Sequence, residues 1–285
     1  MKTKILSIAI LSVLFFLSGC TERIDIELDS SYARCVIYGE ITTDTTQHKV
    51  TVRRTGDYYG EYAPIGISGA NVSISDGDNV FELSEDPENP GVYLTQDDVY
   101  GIPGRIYTLN VSNVDLLDDG IMQSYEATSE LRQVAEPDSI DVLYRREWEG
   151  WIIQAYATDP AETEDFYMFH TYINGVLQSD SLMNINIQDD LFFNGNQTNG
   201  ALIEYIPGED GLAVNDTVTI GFCGITQDYY VYLIETQVSA RPSNPLFSGA
   251  PANPKSNISN NAIGFFTAYS IERATKIVKQ VEYYQ

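Results

Sequence analysis

The sequence is poor in the side chains that carry most protein chemistry. Among 285 residues there are two histidines, His48 and His170, and three cysteines, Cys20, Cys35 and Cys223. A zinc ribbon, an iron–sulfur cluster or a dense disulfide framework needs more ligands than these. Positive charge is scarce as well: 16 Lys and Arg stand against 41 Asp and Glu, a net charge of −25. Such a chain repels phosphate and anionic lipid, which argues against a nucleic-acid partner and against a polybasic membrane contact. The patterns G-x-S-x-G and H-E-x-x-H and a phosphate-binding glycine loop are missing. Nucleophilic catalysis needs a base beside a Ser or Cys, and neither histidine lies in a supporting motif. The expectation is therefore no catalytic residue, no metal and no cofactor. Long apolar runs are lacking too. Ile5 to Leu17 is nearly all apolar, but its thirteen residues fall short of the roughly 20 that span a bilayer core.

That run has the length of a signal-peptide core, and Lys2 and Lys4 supply the positive charge before it. It ends in Leu17-Ser18-Gly19-Cys20, which resembles the lipobox of bacterial lipoproteins. Residues 1–19 are thus expected to be a signal peptide and Cys20 a lipidated N-terminus. More than one acyl chain on that residue would hold the body stably on a membrane. Cleavage removes Lys2 and Lys4 and takes the charge from −25 to −27. Residues 20–32 read as an acidic tether carrying Glu22, Asp25, Glu27 and Asp29. Thr21, not Asp, follows the cysteine, so lipoprotein sorting rules imply the outer membrane.

Beyond the tether the chain is built for strands. It holds 20 Tyr and 11 Phe, residue types that suit pleated surfaces. Between 33 and 135 short apolar–polar alternations recur about every ten residues: 33–41, 48–53, 67–76, 80–83, 90–94 and 106–111. Asp76-Gly77-Asp78-Asn79 marks a turn between two of them. This spacing predicts an antiparallel sandwich, and the order of a Gly-Ala-x-Val-x-Ile strand before a Gly-x-Tyr strand resembles the transthyretin-like, carboxypeptidase-regulatory sandwiches. Glu136-Pro137-Asp138 reads as a boundary. Residues 136–285 form a second β-rich domain with strands at 148–158, 166–174 and 217–222 and a hairpin turn at Asn174-Gly175. Its one helix is expected over Gln227–Ser239, stopped by Arg241-Pro242. Residues 242–261 read as a long irregular loop, and Glu272 to Lys279 as a Lys-guarded edge strand. The fold class is mostly β.

Several groups invite a chemical reading. Asp76, Asp78, Glu85, Asp86 and Glu88 are hard oxygen donors of the kind Ca²⁺ takes, but their spacing is no EF-hand and turn chemistry accounts for them. Asp97-Asp98, Asp118-Asp119 and Asp189-Asp190 read as solvated turns. Cys35 and Cys223 can pair outside the cytoplasm, but their apolar strand neighbours favour small buried thiols. Trp148, Trp151 and Tyr229-Tyr230 can stack on a sugar or line an interface. The stronger interface candidate is the Gly- and Pro-bounded loop 56–64, which carries Tyr58, Tyr59 and Tyr62.

Six stretches, in order, resemble one family: Val36-Ile37-Tyr38-Gly39-Glu40-Ile41-Thr42, Ile67-Ser68-Gly69-Ala70-Asn71-Val72-Ser73-Ile74, Gly91-Val92-Tyr93, Asp159-Pro160-Ala161-Glu162-Thr163, Asp189-Asp190-Leu191-Phe192-Phe193-Asn194-Gly195, and Asn253-Pro254 through Asn257-Ile258 to Asn261-Ala262-Ile263-Gly264-Phe265-Phe266. The resemblance is to the Bacteroidota outer-membrane lipoproteins grouped as domain of unknown function 4249. It implies a surface lipoprotein whose partner is a TonB-dependent outer-membrane receptor. The function it implies is that of a non-enzymatic binding or accessory subunit of that transporter. The alternatives are a structural subunit of another envelope complex, for outer-membrane protein assembly or secretion, and a glycan or peptide hydrolase.

Overall fold

The computed structural model describes residues 33–56, 64–179, 181–208, 211–241 and 253–279. Residues from Ala33 onward form one compact unit. It is mostly β, with one α-helix among the described residues. The first seven strands are β1 Cys35–Thr42, β2 Lys49–Arg54, β3 Ile65–Gly66, β4 Asn71–Ser75, β5 Val80–Glu85, β6 Val92–Leu94 and β7 Ile106–Asp115. They are followed by β8 Met122–Glu130, β9 Pro137–Arg145, β10 Gly150–Ala157, β11 Phe166–Ile173, β12 Val176–Leu177, β13 Asn186–Asp189 and β14 Ala201–Pro207. β15 Thr217–Ile225, helix α1 Gln227–Ser239 and β16 Ile263–Ile277 close the described chain.

Eleven strands run in the order β12-β11-β15-β16-β1-β2-β6-β5-β4-β7-β8, with β13 added to β11 and β3 to β2, and a separate sheet runs β14-β10-β9. The alternation in the sequence dictates how the N-terminal part closes. Ile37, Ile41, Val50 and Val52 point from β1 and β2 into the same core as Val72, Ile74, Leu109, Val111, Tyr125 and Ala127 from β4, β7 and β8. The sheet thus folds back on itself as a sandwich.

The C-terminal part has three layers. β11 and β15 have both faces covered, so they read as continuous apolar runs. Phe169, Val218, Ile220 and Phe222 meet Ile140, Trp151 and Ile153 of the small sheet. Met168, Cys223 and Ile225 meet Tyr229, Tyr232 and Leu233 of α1. Thr226 caps that helix by accepting the Tyr229 N–H at 3.3 Å, and its span is the one expected from the sequence.

β16 is the seam between these parts. Phe266 and Ala268 enter the sandwich core, while Phe265, Tyr269 and Ile271 pack with the helix. Val36 to Thr42 of β1 pair in parallel with Ile263 to Tyr269, and β15 pairs antiparallel with Ser270 to Ile277. As expected of an edge, Glu272 to Ile277 are laddered to β15 on one side only among the described residues, because β1 pairs no further along β16 than Tyr269; Lys276 on this segment pairs with Asp141 at 2.9 Å. The start of β9 at Pro137 falls where the sequence reads as a boundary, with the proline at the first residue of the strand, where its missing N–H costs least. Asn174-Gly175 does form the turn between β11 and β12, both residues at positive φ.

Candidate functional site

Two of the resemblance stretches, 159–163 and 189–195, converge in space. The β11–β13 ladder sets Phe166 opposite Asp189, which brings the flanking Asp165 and Asp190 side by side. The Asp165 N–H donates to Asp190 Oδ2 at 2.9 Å and the Asp190 N–H to the Asp165 carbonyl at 3.1 Å. A bridge between Thr158 and Gln197 then delivers Asp159, whose N–H donates to the Asn196 carbonyl at 3.1 Å. Carboxylate oxygens of Asp159, Asp165 and Asp190 lie within 4.8 Å of one another, and all three residues are buried.

Buried carboxylates must find donors or a cation. The Tyr167 hydroxyl and the Gly195 N–H donate to Asp159, the latter at 3.2 Å. The Thr163 hydroxyl donates to Asp165 at 2.6 Å, and Arg132 stands 3.4 Å from its other oxygen. Burial pushes the Asp159 carboxyl above its ordinary range, and burial followed by the hydrogen bond to Asp159 pushes the Tyr167 hydroxyl up. The all-oxygen donor set is of the type hard divalent cations take. The observed donors make it a structural lock as it stands. It fixes the base of the loop after β13, whose tip holds Leu191 and Phe192 at 74% and 92% exposure. The sequence reading of Asp189-Asp190 as a solvated turn is corrected for Asp190, which is buried beneath that loop. The signal available was the apolar Leu191-Phe192-Phe193 run beside it.

The five acids weighed for Ca²⁺ do not gather into one site. Asp76 pairs with Arg105 at 2.6 Å and caps the turn at Asn79. Glu85 accepts the N–H groups of Gly69 and Gly91 at 3.0 and 2.9 Å. Asp86 holds the Glu88 N–H and the Asn89 amide, and Glu88 itself is exposed. Turn chemistry explains them.

His48 is buried and bonds the Val99 carbonyl at 3.1 Å. His170 sits 3.4 Å from the Ser179 hydroxyl and 3.5 Å from the Tyr269 hydroxyl, and Tyr269 donates in turn to Glu40 at 3.0 Å. Burial, then the nearby Arg273 charge, brings the His170 ring down to about 4, so it is neutral near pH 7. Cys35 and Cys223 are free and buried. Burial raises the Cys35 thiol to about 12 and the Cys223 thiol well above its usual value, so both are unreactive. Of the aromatic candidates, Trp151, Tyr229 and most of Tyr230 serve packing, while Trp148 is 53% exposed. Cys20, Tyr58, Tyr59 and Tyr62 lie outside the described residues. Among the described residues no helix is long and apolar enough to cross a membrane.

These observations define a mostly-β protein: a sandwich joined through one shared strand to a helix-backed, three-layer sheet. The chain belongs to the family described as domain of unknown function (DUF4249), which it matches over residues 21–275. No match is found among curated proteins.

Proposed function

We propose that the protein is an outer-membrane lipoprotein, anchored through Cys20, that serves as a non-enzymatic accessory subunit of a TonB-dependent transporter. The observation that carries the anchor is the Leu17-Ser18-Gly19-Cys20 ending of a thirteen-residue apolar run. The docking role draws on the family resemblance and on Phe192. An aromatic side chain that stands 92% exposed on a loop whose base is locked by buried carboxylates is held ready for a partner. Such anchors often carry ~2 kcal/mol or more when a partner buries them. The Tyr58, Tyr59 and Tyr62 loop is the second contact surface in this reading.

The test has two arms. Cys20→Ala should abolish labelling by a radioactive fatty acid and release the body from membranes; continued labelling and outer-membrane fractionation would refute the anchor. A tagged chain purified from detergent-solubilised outer membranes should bring down a large β-barrel receptor. Phe192→Ser and the Tyr58, Tyr59 and Tyr62 to Ser triple variant should each weaken that recovery without unfolding the protein. Recovery of an assembly or secretion complex instead would replace the transporter reading with that alternative.

A further inference from the structure

The outward face of β2, β1 and β16 forms a cleft of about 500 Å³, walled by Tyr229 of the helix, Leu182 and Pro64. Strand register builds its floor. On β1, Val36, Tyr38 and Glu40 point away from the sandwich core that holds Ile37 and Ile41. Arg53 and Thr51 lie opposite Val36 and Tyr38 from one side, and Phe265 and Thr267 lie opposite Tyr38 and Glu40 from the other. Lys49 completes the β2 edge.

Three features of this cleft call for a ligand. First, Lys49 and Arg53 stand on one face of β2 and make no ion pair or side-chain hydrogen bond with any described residue. The ion pairs among the described residues use Arg54, Arg105, Arg132, Arg273 and Lys276 instead. Two cations on one strand face, flanking Thr51 and without a partner among the described residues, are unusual in a chain of net charge −25. Second, Thr267 is 3% exposed in the cleft floor, and its hydroxyl oxygen has no hydrogen-bond partner. A buried hydroxyl without a partner is rare in folded proteins. Third, Tyr38 is 37% exposed, yet its hydroxyl is held by the Tyr232 hydroxyl at 2.9 Å. Its ring is therefore presented at little entropic cost.

The cleft is thus polarised: cations along β2, a fixed aromatic ring at the centre, and a carboxylate and an unmet hydroxyl toward β16. We propose that it binds an acidic saccharide, with one sugar carboxylate at Lys49 and a second at Arg53, a ring face on Tyr38 between them, and hydroxyls directed to Glu40 and Thr267. The volume falls in the range of small-molecule sites and admits a disaccharide. The charged edge selects the acid, and the Glu40 carboxylate accepts only from a donor such as a sugar hydroxyl. This reading stands independently of the anchor and of the transporter.

The full chain, purified in detergent, is titrated calorimetrically with digalacturonic acid, with neutral digalactose and with the dipeptide Glu-Glu. Digalacturonic acid should bind at least tenfold more tightly than either, and added NaCl should weaken it. The double variant Lys49→Gln, Arg53→Gln should lose at least tenfold in affinity with unchanged thermal unfolding, because neither side chain has a partner among the described residues. Thr267→Val should lose about threefold while unfolding no earlier than the parent. Absence of digalacturonate binding, equal binding of digalactose, preference for Glu-Glu, or indifference to the double variant would each overturn the proposal.

Discussion

At the scale of single residues, the half-buried His170 makes stability depend on acidity. Its ring titrates near 4 in the folded chain, below its ordinary 6.5. The unfolded chain therefore takes up a proton first as pH falls. The folded state loses nothing to this group above about pH 6.5 and loses progressively more between there and about pH 4, where the loss levels off at ~3 kcal/mol. The charged groups nearby pull in opposite directions: Arg273 disfavours the imidazolium and Asp44 favours it. His170→Gln should flatten the fall in urea-unfolding free energy between pH 7 and pH 4.5. An equally steep fall in the variant would place the acid sensitivity elsewhere. Arg273 itself is fixed by Asp44, which raises its already high pKa further, so it stays charged throughout this window.

At the scale of elements, the closest backbone approaches explain two glycines of the resemblance stretches. Gly264 has φ +108°, and a Cβ there would fall 1.9 Å from the Ile37 carbonyl oxygen. Gly91 has φ +79° and would meet the Val52 carbonyl oxygen at 2.5 Å. Neither neighbour is a side chain that can turn away. Gly264→Ala should cost ~3 kcal/mol or more through strain and a parted β1–β16 ladder. Thermal unfolding of the variant measures it, and a loss below about 1 kcal/mol would show that the seam relaxes. Elements whose cause is local were legible in the sequence. The helix was announced by Tyr229, Tyr232 and Leu233 at helical spacing and by Arg241-Pro242, and the β4–β5 turn by Asp76-Gly77-Asp78-Asn79. β8, β9, β13 and β14 are not legible in it: Gln123-Ser124-Tyr125-Glu126 and Asn186-Ile187-Gln188-Asp189 are polar and owe their extension to a partner strand, and the start of β9 at Pro137 reads as a boundary. Long-range gatherings were equally hidden. Nothing local shows that Asp159 and Asp190 share a site, or that Thr267 faces Tyr38 and Lys49 across two ladders.

At the scale of the whole molecule, the acidic body and the seam have different reach. A charge of −25 favours solubility and resists non-specific contact with like-charged surfaces, which leaves specific contact to exposed apolar tips such as Phe192. The seam governs how the chain comes together. Its strands stand at opposite ends of the sequence, and Arg34 even grips the Asn261 carbonyl 227 positions away, at 2.6 and 2.8 Å. A ribosome makes β1 and its partner β2 long before β16, so the other edge of β1 stays unpaired until Ile263 to Tyr269 have been added. Closure of this kind is slow, and the waiting strand is an open template for other chains. A copy interrupted before Ile263 cannot close this seam and keeps an open strand edge for proteases and chaperones to act on. A version ending at Ala262 should aggregate on expression, while the complete chain stays soluble. A truncated chain that remained soluble with native protection of its β1 amides in hydrogen exchange would show that the N-terminal sandwich closes by itself.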